Sequence, residues 1–123
     1  MLSNIYPEEF MNNEYISAPK YRNNSVLQDL GDGVTRRIMS FNEDIMMVEV
    51  GFKAGSEGSV HTHPHTQATY VLKGKFRFTV DGVEHTVSQG DTLHFNSNVP
   101  HGTVCLEEGI LLDVFTPMRE DFI

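Results

Sequence analysis

The chain has 123 residues, 39% of them hydrophobic, a single cysteine and a formal charge of -8 at pH 7. That length suits one domain with one core, and the acidic balance argues against nucleic acid or an anionic membrane as partner of a diffuse basic surface. No stretch approaches the ~18 apolar residues of a membrane helix, the start MLSNIYPEEF lacks a basic, apolar leader, and Cys105 alone builds no disulfide framework, so a soluble cytoplasmic protein is expected, with Cys105 a small buried hydrophobe.

Residues 1–25 are polar, with asparagine pairs at 12–13 and 23–24 and no strong period. They read as an arm. Such an arm can pair with the sheet edge of a second copy, so a homodimer is expected. Residues 28–33 read as a turn. From Val34 onward short apolar runs alternate with turn signals: 45–52 before Lys53-Ala54-Gly55, 69–72 before Lys73-Gly74, 76–80 before Asp81-Gly82, 92–95 after Gly90-Asp91, and 110–115 after Gly109. Phe76, Phe78 and Val80 alternate with Arg77 and Thr79, as in a strand with one apolar face, and Asp81-Gly82 suits a tight hairpin. Many short strands in one small domain close as a barrel or double-sheet jelly roll, here over residues 26–123.

Within that rhythm stand Gly55, His61, His63, Gln67 and Gly74, answered by His101. Residues two apart on a strand share a side, so His61 and His63 form a two-pronged clip for one ion. A straight strand would carry Gln67 roughly 13 Å or more away, too far for one coordination sphere, so the chain must turn near Pro64 and Thr66 and return with Gln67 opening the next strand. His101 supplies the fourth ligand from a distant strand. Three imidazoles and one amide oxygen suit a divalent transition ion, Zn, Ni, Fe, Mn or Cu, without choosing among them. His65, at the turn, is expected behind the ligands or facing solvent. His94 is expected inside the barrel as a hydrogen-bonded histidine, His85 and Arg77 on the surface, and Tyr70, Phe76, Phe78 and Phe115 in the core or pocket wall. Arg36 and Arg37 can be read either as exposed strand charges or as anion binders.

These motifs resemble the cupin superfamily, whose first pattern is Gly, five residues, His-x-His, three or four residues, Glu, six residues, Gly. Gln67 stands here in place of Glu. The second, looser pattern is matched by Gly90, Asp91, Pro100 and His101. Segments 98–102 and 111–122 look like those of small single-domain cupins of the pectin-degradation, KdgF-like type. The resemblance implies an all-β double-stranded β-helix, and metal ligation by His61, His63, Gln67 and His101. It implies Asp113 and Arg119 as active-site groups, and action on an anionic sugar acid, the 4,5-unsaturated uronates released by pectate or alginate lyases, promoting their conversion to the linear ketone form.

Neutral Gln67 would leave the ion's charge uncompensated and the metal a stronger Lewis acid, which favours polarising a hydroxyl or carbonyl. Asp113 lies inside the apolar run 111–115 and shares a face with Leu111 and Phe115, where burial would raise its pKa toward the working range of a base or proton shuttle. Arg119 could hold the uronate carboxylate by a two-pronged contact. A metal-dependent dioxygenase for a small molecule, a non-catalytic sugar-acid binding module, and a barrel whose metal only stabilises remain alternatives.

Overall fold

The computed structural model describes residues 17–123. Eight strands follow one another: β1 (Leu27–Gly31), β2 (Val34–Phe41), β3 (Met46–Phe52), β4 (Glu57–His61), β5 (Thr66–Val80), β6 (Val83–Ser88), β7 (Thr92–Phe95) and β8 (His101–Thr116). Short 3-10 turns stand at Arg22–Asn24 and Glu120–Phe122. Every strand pairing among the described residues is antiparallel. Residues 1–16 of the expected arm lie outside the described residues.

Two long strands organise the rest. β5 and β8 pair along nearly their whole length, from Thr66↔Thr116 to Val80↔His101. The register slips between Val71 and Phe76. There the two strands bend together, and glycine is required. Gly74 has φ +87, and a Cβ on it would lie 2.5 Å from the Glu108 carbonyl oxygen, while a Cβ on Gly109 would strike the Lys73 backbone. The bend lets each strand serve two sheets. Residues 110–116 of β8 and 66–71 of β5 join β1, β2, β3 and β7, whereas 101–107 and 75–80 join β4 and β6. Lys73-Gly74 and Gly109, read from sequence as strand boundaries, are corners inside continuous strands. Residues 28–33, read as a turn, instead give β1 and a tight Asp32-Gly33 reversal, because Gly31, Asp32 and Gly33 all take positive φ. The Asp81-Gly82 hairpin is as expected, with φ of 48 and 81 pairing Val80 to Val83.

Side-chain alternation fills the space between the sheets. One cluster joins Ile38, Phe41, Met46, Val48, Phe115 and Met118; a second joins Phe52, Val71, Phe76, Phe78, Phe95, Cys105 and Leu111. Cys105 is buried, as expected, and burial pushes its thiol pKa up. Tyr70 departs from expectation. It is 43% exposed because Thr69 and Val71 take the inward parity of β5. His94 is likewise exposed, since Phe95 takes the inward place on β7. Arg77 and His85 lie on the outer surface, Arg77 beside Glu84.

Candidate metal centre and active site

The histidines gather at one end of the lumen. His61 closes β4 and His101 opens β8, and the two are direct cross-strand partners. His63 does not share a strand with His61, as the two-apart spacing suggested, but lies in the connection between β4 and β5. That connection is tied to the β7–β8 loop by Asn98 N–H on the His63 carbonyl (2.8 Å) and Ser97 Oγ on the Pro64 carbonyl (2.6 Å). One ligand nitrogen from each of His61, His63 and His101 lies within 4.8 Å of the others.

The hydrogen bonds behind the rings decide which nitrogens face inward. Nδ1 of His61 meets the Ser59 carbonyl at 2.7 Å, Nδ1 of His63 that of His65 at 3.1 Å, and Nδ1 of His101 that of Val99 at 2.9 Å. A carbonyl only accepts, so each Nδ1 donates and each Nε2 presents a lone pair. His65 thus acts through its backbone, orienting His63. The His101 ring is stacked flat on Phe95 at 4.2 Å, and its Nε2 is buried with no hydrogen-bond partner among the described residues. An orphaned buried acceptor costs about 1–3 kcal/mol unless something meets it. His63 Nε2 in turn faces Gln67 Oε1 at 2.9 Å, lone pair to lone pair. Two acceptors repel at that distance. It is nevertheless the spacing of neighbouring ligands on one cation, since bonds of ~2.1 Å at right angles hold donor atoms about 3.0 Å apart. The donor set therefore fits a divalent transition ion held by His61, His63, His101 and Gln67.

Burial favours the ligating, neutral form of His63 and His101. It lowers the pKa of His63, and it takes that of His101 down to about 4, against the Val99 carbonyl, which works to raise it. Asp113 sits across the lumen on β8 with the inward parity read from sequence. Part of its surface opens onto the cavity, yet burial dominates and raises its pKa to about 6, against hydrogen bonds from Thr69 and Gln67 that favour the charged form. Thr69 is the residue that sequence reasoning missed. It receives Gln67 Nε2–H at 2.9 Å and donates to Asp113 Oδ1 at 2.7 Å. The period-2 count from Gln67 would have placed it inside the barrel.

Arg119 is buried, not a solvated tail residue. Its Nε and Nη2 grip Asp121 at 3.0 and 2.8 Å, and its guanidinium lies over the rings of Phe115 and Phe122. The Arg119 contact holds the Asp121 carboxyl below the usual range. Arg36 stacks on Phe122 at 4.0 Å and is held by Gln28, while Arg37 reaches the Ser25 carbonyl outside the site. A cavity of about 230 Å³ brings together His61, Gln67, His101, Asp113, Arg119 and Arg36 against a wall of Phe52, Phe78, Leu111 and Phe115. A larger depression of about 440 Å³ beside the β1–β2 turn shares Phe52 with it but holds none of the polar site groups.

Comparison with known proteins agrees with this geometry. The Cupin domain family model matches residues 48–115. The chain is 41% identical over 98 residues to the pectin degradation protein KdgF of Dickeya dadantii, covering 78% of this chain and 89% of that one. Among solved structures, an RmlC-like cupin from Shewanella frigidimarina superposes with a TM-score of 0.84 at 39% identity, covering 88% of this chain and 97% of that one. KdgF from a Halomonas species gives 0.84 at 31%, covering 88% and 100%.

Proposed function

The chain belongs to the cupin family, within its small KdgF-like group, and from that premise we propose that it is a metal-dependent enzyme converting 4,5-unsaturated uronate monosaccharides from pectin or alginate breakdown to linear keto-uronates. The observation that carries this reading is one small lumen in which three histidines and an amide oxygen able to hold a metal, an acid with raised pKa and a buried arginine converge. At about 230 Å³ it lies below the usual ~300–1,000 Å³ of ligand pockets and suits a monosaccharide.

Arg119 binds the uronate carboxylate through its planar fork, which requires the incoming carboxylate to replace or share Asp121. Asp113 handles the proton. Ring opening moves the anomeric hydroxyl proton to Asp113 as the bond from C1 to the ring oxygen breaks, leaving an aldehyde and an enolate; ketonisation delivers that proton to C4 as the enolate oxygen becomes the ketone. Substrate and product are isomers, so one carboxyl group that accepts and then gives back a proton balances the cycle. A pKa near 6 suits both halves at neutral pH. His61, His63, Gln67 and His101 would hold the ion, which when bound would supply Lewis-acid stabilisation of developing negative charge on oxygen. Phe115 and Leu111 exclude water from the reacting face. The resident metal is one of Zn, Ni, Fe, Mn or Cu.

The test is the ultraviolet absorbance of a lyase-generated unsaturated uronate monomer, whose conjugated double bond is lost on ketonisation. Loss above the spontaneous rate, abolished by chelation and restored by added metal, is expected. No acceleration with any of the five metals refutes the reading.

A further inference from the structure

We propose that Thr69 is a positioning residue whose hydroxyl sets a one-way hydrogen-bond chain, Gln67 to Thr69 to Asp113, that aims the Gln67 oxygen at the histidines and demands an amide at position 67. The proposal rests on the ligand set above but not on the identity of the substrate.

Thr69 is 2% exposed, so its hydroxyl must find its partners within the protein. A hydroxyl has one proton to give. Thr69 gives it to Asp113 Oδ1 at 2.7 Å, and an ionised carboxylate can only accept. Thr69 Oγ1 is then available to Gln67 solely as an acceptor, and the contact at 2.9 Å is satisfied only by an N–H. An amide supplies that N–H from one end and an oxygen from the other. With the nitrogen turned to Thr69 and, through its second proton, to Asp113, the oxygen is directed to His63 Nε2, 2.9 Å away, where the histidines meet. The orientation of the Gln67 amide is thereby fixed by chemistry rather than left to rotation.

A carboxylate at position 67 breaks this logic. Glu would place an acceptor against Thr69 Oγ1 and a second negative charge beside Asp113, with one hydroxyl proton for two carboxylates. The departure from the Glu of the general motif follows from the pair Thr69 and Asp113. The proton that Thr69 donates also holds the Asp113 carboxylate in place, so one hydroxyl aligns a ligand and the candidate acid together.

The test uses the full chain and Ni²⁺ alone, measured by competition with a chromophoric chelator. Thr69→Val keeps the side-chain shape and removes the hydroxyl; Ni²⁺ affinity is expected to fall about 10–100-fold. Thr69→Ser restores the hydroxyl and should bind within a few-fold of the parent. Equal affinity in the parent and Thr69→Val overturns the proposal, as does an equal loss in Thr69→Ser, which would assign the effect to the methyl group. The Gln67 side-chain amide resonances should exchange slowly in the metal-free parent and faster in Thr69→Val; equal exchange in the two counts against the chain. In metal-free protein at pH 8, Gln67→Glu should lower the melting temperature, and an unchanged or higher one overturns the required direction. Every readout is independent of turnover, so failure of the uronate reaction and failure of this chain are separately visible.

Discussion

The two ends of the lumen are built from the same strands with opposite chemistry. On β8, Leu111 joins the apolar cluster while Asp113, one inward step further, faces the histidines; on β5, Val71 and Thr69 mark the same change. The apolar end is close-packed, with Phe76, Val71 and Cys105 at most 1% exposed and Phe52 edge-on to Phe76 at 5.3 Å. At the other end His101 is denied its proton, Asp113 is held in an environment that disfavours its charge, and His101 Nε2 lacks a partner. One end carries the stability of the fold, and the other spends some of it on a site.

That contrast can be broken at each end. The largest effect is expected from His101→Ala, which removes the histidine stacked on Phe95 and should reduce both metal binding and metal-dependent turnover by about 10³-fold or more, measured by chelator competition and the absorbance assay. Phe76→Ala, at the apolar end, should cost about 3–5 kcal/mol in denaturant unfolding, while the protein that remains folded keeps its metal affinity.

Asp113→Asn should do the reverse. Turnover is expected to fall about 10²–10⁴-fold, the usual worth of a positioned acid or base. The folded-state pKa of Asp113 is raised above its unfolded value, so its carboxyl destabilises the fold once ionised, a cost absent below about pH 3.8 and complete above about pH 6. Chelated Asp113→Asn should therefore be more stable than the parent at pH 8, by on the order of 2 kcal/mol, with the difference closing below pH 4 in urea unfolding. A difference independent of pH would contradict the burial argument. The smallest effect belongs to Arg119→Lys, which keeps the charge and loses the fork; KM for the uronate should rise about 10-fold with kcat less affected.

Local patterns made most of this molecule legible before any fold was visible. Alternation in 76–80, the Asp81-Gly82 hairpin and the inward parity of Asp113 are properties of neighbouring residues, and each is found as read. The convergence of His61, His63, Gln67 and His101 was legible because strand geometry demands a turn between His63 and Gln67, and the chain makes one there. What escaped was long-range. Gly74 and Gly109 read as ends of strands because a corner and a turn use the same residue; only the pairing of β5 with β8 shows that the strands run through. His94 and Tyr70 depended on which parity of β7 and β5 faces inward, settled by Phe95 on one strand and by Thr69 and Val71 on the other. Thr69 escaped because its partners, two and 44 residues away, meet only across the lumen.

The central claim is that Asp113 and the metal ligands act as one site on an unsaturated uronate. Proton NMR of the lyase-generated monomer in D2O, with parent and Asp113→Asn protein loaded with the same metal to the same occupancy, tests it directly. The account predicts rapid loss of the vinyl signal and deuterium at C4 with the parent, and the spontaneous rate with Asp113→Asn. Vinyl loss at the parental rate in the metal-loaded Asp113→Asn protein would contradict it.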